Sequence, residues 1–464
     1  MLSEISKTGI SFIALLFAVC FLVNTAAAQT SDADLRAVIE SDRRDRAANG
    51  ILADLSAAEH LRRADIYMAN RLFPAAREHW QRVIERFPDD PGLARALFGM
   101  GRSYMWERDY SQAIEWFERV LKDFPMTKEG REALAFTGAS FVRLSCHSDA
   151  VRAYQQYVTM FPDGERVESA YLNIIDALRE DGRYAEAEKW ADMAAERFAG
   201  KPTEYNALHS KLRMEIFRQN WSRAIQIADS LLAKPVPRGS MASQDEVRFL
   251  RAFALERIKA PAAAAEIYSG FGNPLESYFA GLASDKVRSS EVSKTSYSGN
   301  LNQADFPILY REILLKNATP RGIDPRFVLA IMKQESVFKP TAKSPAGARG
   351  LLQLVFDTAI KFNVKAGFPN LQPDDLYQPS VNIAIGCEYI RFLKDEFGGL
   401  YEGIAASYNG GEDNALRWLN RSEPKEPGIF VSEIGFAETK NYVQKVMNNY
   451  RAYRLLYTED LRKK

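Results

Sequence analysis

Glu335 is the side chain in this sequence with the best claim to chemistry. It lies in Lys333-Gln334-Glu335-Ser336, ahead of Gly350-Leu351-Leu352-Gln353 and, further on, Ser407-Tyr408-Asn409-Gly410. No histidine falls in this part of the chain, and Cys387 is its one cysteine. Hydrolysis or group transfer here must therefore run on carboxylate, hydroxyl and amide groups. The four histidines, His60, His79, His147 and His209, are all in the first half. None is spaced from another like a metal-ligand pair, so they read as packing or surface residues and no metal site is expected.

The element that must carry Glu335 is a helix. Asp324 is a suitable N-cap, with Pro325 in the first turn. Val328, Ile331 and Met332 form an apolar stripe, and Glu335 continues it seven residues after Val328. Pro340 stops the helix soon after, so Glu335 sits near its C-terminus, where the dipole disfavours an anion. Partial burial and the dipole both push a carboxyl towards its protonated form. A carboxylic acid held protonated near neutral pH is what general-acid cleavage of a glycosidic bond requires. A solvent-facing helical glutamate is the competing reading of the same pattern.

Five segments in order decide between them: Lys333-Gln334-Glu335-Ser336, Lys343-Ser344-Pro345-Ala346-Gly347-Ala348, Gly350-Leu351-Leu352-Gln353-Leu354, Ser407-Tyr408-Asn409-Gly410 and Glu438-Thr439-Lys440-Asn441-Tyr442-Val443. Together, over roughly Phe306 to Tyr457, they resemble the catalytic domain of soluble lytic transglycosylases. Those enzymes have a goose-type lysozyme-like fold and cleave the glycan strands of peptidoglycan. The resemblance implies that Glu335 is the single catalytic acid. It implies that Ser344 lies near that acid, where its hydroxyl can bond the carboxylate. Gly350 and Gln353 match the motif lining the sugar groove, and Tyr408 and Asn409 match the tyrosine-asparagine motif. Glu438 matches a second, non-nucleophilic glutamate, while Tyr442 opens the final helix and reads equally well as core. The sequence departs from the family pattern at Leu352, Val355-Phe356, Gly410 and Ile434-Gly435-Phe436, all beside the groove.

The implied reaction cleaves the β-1,4 bond between N-acetylmuramic acid and N-acetylglucosamine and leaves a 1,6-anhydro ring. It needs no metal or cofactor. Two other readings stay open at this point. A muramidase of the same fold would admit water and hydrolyse the bond. A periplasmic scaffold would use the first half of the chain and leave the enzyme domain vestigial, against which the joint presence of Glu335, Ser344, Gln353 and Tyr408 stands.

The first half is repetitive. Ala76, Ala113, Ala150, Ala187 and Ala224 recur every 37 residues, and the first three have Trp80, Phe117 and Tyr154 four residues later. Phe87-Pro88, Phe124-Pro125 and Phe161-Pro162 close those three units, and Ala264 with Tyr268 suggests a sixth. The small residue lets two helices approach, the aromatic fills the wedge, and the proline ends the second helix. Such pairs bury their apolar faces only by stacking. The pattern resembles the tetratricopeptide repeat, and the array reads either as a platform or as a groove for a protein partner. The expected chain is thus all-α: a signal peptide at 1–28, a helical solenoid at 29–285, a linker at 286–304 and an α-rich lysozyme-like domain at 305–464.

The apolar run Gly9 to Val23, with Ala26-Ala27-Ala28 behind it, reads as an export signal cleaved before Gln29, which implies a periplasmic protein. Left uncleaved, Gly9 to Ala28 would anchor the chain in a membrane. Net charge is +1, so no global field argues for nucleic acid. Cys146 and Cys387 fall in different domains, so they read as buried apolar fillers and not as a disulfide framework.

Overall fold

A computed structural model describes residues 31–47, 50–289 and 301–464. The segment read as an export signal lies outside them. Among the described residues there is no strand, only isolated bridges at Lys343–Arg349, Arg349–Leu354 and Tyr457–Lys463. None of the described helices is long and apolar enough to cross a membrane.

A leading helix, α1 (Asp32–Asp45), is followed by stacked antiparallel pairs: α2 (Ala57–Ala69) with α3 (Phe73–Arg86), α4 (Leu93–Trp106) with α5 (Tyr110–Asp123), and α6 (Lys128–Arg143) with α7 (His147–Met160). Then come α8 (Val167–Glu180) with α9 (Tyr184–Arg197), α10 (Pro202–Phe217) with α11 (Trp221–Leu232), and α12 (Gln244–Arg257) with α13 (Pro261–Ser269). The five periodic alanines are fully buried at the crossings, and Ala264 with Tyr268 occupies the matching place in the sixth pair. Phe87, Phe124 and Phe161 are the C-caps of α3, α5 and α7, one residue before each proline.

The wedge has a partner. A Cβ on Gly101 would come within 2.5 Å of the Phe117 ring, and one on Gly138 within 2.8 Å of Tyr154. Phe117 and Tyr154 therefore rest on bare backbone of the first helix of their own pair, whereas Trp80 rests on Gly99 in the first helix of the next pair. The turn inside each pair is also periodic: Arg71, Arg108, Ser145, Gly182 and Gln219 all have positive φ, between 58° and 72°. Only one of the five is glycine, so side-chain identity does not reveal this left-handed position.

After α14 (Tyr278–Ser289), which runs into the stretch read as linker, the second domain comprises α15 (Arg311–Ala318), α16 (Pro325–Ser336), α17 (Phe356–Phe362), α18 (Pro379–Glu396), α19 (Tyr401–Gly410), α20 (Glu412–Asn420), α21 (Pro427–Glu433) and α22 (Ala437–Leu456). The helix α16 forms as its sequence dictates. Asp324 caps it by accepting from the Arg326 N–H, and Val328, Ile331 and Met332 are fully buried. It ends at Ser336, because Val337 and Phe338 turn left-handed at φ 49° and 62°. It packs along α22, and α19 lies against both α22 and α20.

The two parts are packed together. Phe249, Tyr268 and Tyr278 from the end of the array share one core with Phe327, Leu351 and Trp418. Ion pairs join them along the array: Asp32 to Lys343 and Arg349, Arg108 to Glu412, Arg179 and Arg213 to Glu433, and Glu246 to Lys440. The array thus curves around the second domain and meets it at both ends and in the middle.

One expectation needs correction. Cys387 is buried, but Cys146 is partly exposed at the N-cap of α7. His60 and His79, 19 residues apart in sequence, share a hydrogen bond between their Nδ1 atoms at 2.9 Å, and His79 Nε2 reaches Asp42 Oδ2 at 3.0 Å. This buried polar knot ties α1 to the first pair; stacking of helices, not sequence spacing, brings it together. Among the described residues no group of three or more His, Cys, Asp or Glu is arranged to hold a metal ion.

Candidate active site

Glu335 occupies the last turn of α16, partly buried. Its Oε1 accepts a 2.7 Å hydrogen bond from the Tyr442 hydroxyl of α22. Burial raises its pKa, the Tyr442 bond opposes the rise, and the charge of Glu438 adds to it, leaving the carboxyl at about 7. The carboxyl thus holds a proton through much of the neutral range. Tyr442, which the sequence left between core and site, is the hydroxyl on the acid. Burial and the neighbouring Glu335 carboxylate hold its own pKa well above the usual phenol value, so it stays a donor.

Ser344 does not fill that role. Its hydroxyl accepts from the Ala348 N–H at 3.1 Å and closes a local turn. Tyr408 likewise bonds the loop and not the acid: its hydroxyl donates to the Leu352 carbonyl at 2.7 Å. Glu335 still acts on the Tyr408 phenol through space, after burial as the larger cause of its raised pKa. Ser336 donates to the Leu351 carbonyl at 2.8 Å. Asn382, fully buried on α18, accepts from the Leu352 N–H and donates to the carbonyls of Arg349 and Leu376. Three side chains from three helices therefore fix the Gly350–Gln353 segment. Asn382 escaped the sequence reading, although a lone asparagine inside the apolar run Val381 to Ile385 is the signal that marks it.

Gly350 is buried at φ 79°, and any Cβ there would collide with the Leu376 carbonyl and the Asn382 amide. It shapes the segment and offers nothing to a ligand beyond backbone. Gln353 spends its amide N–H groups on the carbonyls of Ala342 and Gly350, at 3.0 and 2.9 Å. Its Oε1 is buried without a hydrogen-bond partner, so an acceptor is what it has left to offer. Asn409 accepts from the Thr439 hydroxyl at 2.7 Å and hydrogen-bonds Glu438, whose pKa burial raises and that bond lowers. Gly410, where the sequence departs from the family pattern, sits in a tight place. A methyl there would sit 3.0 Å from both Thr439 and Trp418. Glu335, Glu438, Tyr442, Tyr408 and Asn409 thus form one cluster, with Gln353 on the braced segment and Ser344 set aside in its turn. A cavity of ≈ 630 Å³ lined by Arg326, Glu402, Tyr450 and Arg451 includes none of them.

The arrangement can do general acid–base chemistry: a carboxyl poised near pH 7, a phenol that orients it, and a rigid backbone segment beside it. Residues 312–430 match the family of the transglycosylase SLT domain, and residues 54–125 and 137–202 match tetratricopeptide repeat families. Glu438 and Tyr442 lie past the end of the first match. The chain is 28% identical over 207 residues to the soluble lytic murein transglycosylase of Salmonella typhimurium, covering 40% of this chain and 32% of the relative. It is 34% identical over 156 residues to the putative soluble lytic murein transglycosylase of Haemophilus influenzae, covering 33% of this chain and 26% of the relative. The chain spans about a third or less of the length of these relatives. Among solved structures, the 70-kDa soluble lytic transglycosylase of Escherichia coli is similar at 15% identity and a TM-score of 0.44, over 87% of this chain and 89% of that one. The segment holding Glu335 and its supporting loop thus matches the transglycosylase SLT domain, with matches to tetratricopeptide repeats ahead of it in the same chain.

Proposed function

We propose that this chain is an exported peptidoglycan lytic transglycosylase with Glu335 as its acid and base. The observation that carries the reading is the Glu335 carboxyl held at about 7 in a segment that matches the transglycosylase SLT domain. The similarity to soluble lytic murein transglycosylases supports the substrate. Because that substrate lies outside the cytoplasm, export belongs to the proposal.

In the first step Glu335 gives its proton to the oxygen between N-acetylmuramic acid and N-acetylglucosamine, and the bond from that oxygen to muramic C1 breaks. The muramic 2-acetamido oxygen stabilises the cation that develops at C1. In the second step the ionised Glu335 takes the proton of the 6-hydroxyl of the same sugar, and that oxygen bonds C1. The products are a 4-hydroxyl on the leaving glucosamine and a 1,6-anhydro ring on the muramic acid, with Glu335 reprotonated. The nucleophile is already attached to the substrate, so the step gains from proximity and uses no second carboxylate as nucleophile. Tyr442 keeps the carboxyl in register through both proton transfers, and the free Gln353 oxygen offers an acetamido N–H an acceptor. Glu438, Asn409 and Tyr408 shape the wall around the acid.

Mass spectrometry of glycan ends released from purified sacculi tests the reading. The native chain should produce anhydromuramyl ends, and Glu335→Gln should release none while staying folded. Reducing ends would instead make the chain a hydrolysing muramidase, and release by the Glu335→Gln variant at the native rate would remove Glu335 from the chemistry.

A further inference from the structure

The geometry points to Asp32, at the start of the repeat array, as a positioning residue for the substrate groove of the second domain. The inference rests on the proposed glycan cleavage at Glu335 and goes beyond it, because the residue lies outside the catalytic domain altogether.

Asp32 is the first residue of α1, and Ser31 caps that helix. Its Oδ1 accepts from Lys343 Nζ and from Arg349 Nη2, each at 2.8 Å. Its Oδ2 accepts from the Tyr377 hydroxyl at 2.7 Å. A second array residue, Asn70, meets the same two cations: its Oδ1 accepts from Arg349 at 3.1 Å and from Lys343 at 3.3 Å. The backbone closes in as well, since a Cβ on Gly347 would lie 2.9 Å from the Ala69 carbonyl. So the loop from Lys343 to Arg349 is clasped by α1 and by the end of α2.

Arg349 makes this contact more than docking. Its side chain has no solvent exposure, and it is a full charge. A buried guanidinium needs an anion, and the anion supplied here is Asp32, with the Gly347 carbonyl accepting a further bond at 2.7 Å. Burial works against the Asp32 carboxylate, but the bonds from Lys343, Tyr377 and Arg349 outweigh it and hold its pKa at about 2. The anion is therefore present at every pH at which the protein would work. Arg349 in turn fixes the groove segment directly: its backbone pairs with Leu354 in both directions, and its carbonyl is one of the three groups held by Asn382. Between those pairings lie Gly350, Leu351, Leu352 and Gln353. Asp32 thus acts on Gln353 through Arg349, at a distance from Glu335 and its Tyr442 partner.

A positioning role of this kind predicts a specific split in the full-length chain. Asp32→Ala should raise the KM for sacculi by about tenfold with little change in kcat, the signature of lost ground-state binding. The pH dependence set by Glu335 should stay where it is. Asp32→Asn, which keeps the shape and one acceptor, should fall between native and Ala, and Asp32→Glu should recover part of the loss. Arg36→Ala, which removes the exposed pair with Asp374 from the same helix, should behave as native. Hydrogen exchange read by mass spectrometry should show faster exchange in the 342–354 stretch of the Asp32→Asn and Asp32→Ala chains, with α16 and α22 unchanged. The exchange readout needs no activity, so it judges the inference even if the chain does not cleave peptidoglycan. Native exchange at 342–354 in Asp32→Asn, or a loss of kcat with unchanged KM, would overturn it. If Asp32→Ala does not fold, the Asn and Glu variants carry the same test.

Discussion

At the scale of single residues, the acid at Glu335 is tuned by two neighbours that pull in opposite directions. Tyr442 bonds the ionised form and lowers its pKa, whereas Glu438 repels a second negative charge and raises it. The protonated acid starts the reaction, so activity should fall as pH rises through about 7. Removing the hydroxyl with Tyr442→Phe should move that falling limb to higher pH. Removing the charge with Glu438→Gln should move it to lower pH. A pH–rate profile of both variants checks the pair, and shifts in the same direction would show that the cluster is coupled some other way. The sequence placed Glu335 on the apolar face of a short helix near its end, which is a matter of local periodicity and was legible. It did not assign the hydroxyl that touches it. Tyr442 is 107 residues away, and a serine nearby in sequence was the more obvious candidate. Ser344 turned out to serve its own turn, accepting from the Ala348 N–H in a loop that the array clasps.

At the scale of elements, the array depends on a fit between a bare patch of one helix and an aromatic of the next. Phe117 is fully buried against Gly101. Gly101→Ala should therefore destabilise the chain by about 1–3 kcal/mol despite the better helix propensity of alanine, because overpacking outweighs the ~1 kcal/mol that propensity returns. Thermal unfolding measures the loss, and Phe117→Leu in the same chain should relieve part of it, since the two sites are in contact. A neutral or stabilised single variant would show that the helices slide apart at no cost. The alanine and aromatic periods were readable because they report packing, which side-chain size encodes. The left-handed turn residue shares the 37-residue period but was not readable, because Arg71, Arg108, Ser145 and Gln219 have no common chemistry. Closure of the pair forces that backbone position on whatever residue is there.

At the scale of the whole molecule, the array and the second domain behave as one structure held by buried charge. Glu433 is buried between Arg179, Arg213 and Arg421. Burial opposes its ionisation, but the three guanidinium groups prevail and hold its pKa at about 2, below the ordinary 4.5. A depressed carboxyl of this kind contributes its full stability above pH 4.5 and loses it as pH falls towards 2. Glu433→Ala should cost about 3–5 kcal/mol at neutral pH, because it strands buried guanidinium groups. Calorimetry should show the loss at neutral pH and a shallower dependence on acid than in the native chain. An unchanged acid limb would mean that Glu433 is not a hub of the interface. Lys440 belongs to the same scale. It lies in the Thr-Lys-Asn-Tyr segment read as part of the site, yet its ammonium is buried against Glu246 and the Ser432 carbonyl, anchoring α22 to the array.

The sequence by itself determined the two kinds of helix this chain builds and the one acid worth watching. Both follow from residue size, hydrophobic period and capping within a few turns, which are local quantities. Tertiary structure decided which groups surround that acid, which carbonyls brace the Gly350–Gln353 segment, and that Asp32 near the front of the chain reaches Arg349 in the second domain. Those contacts join residues 15 to 317 positions apart, and no periodicity in a chain relates positions whose meeting depends on how a whole array of helices curves.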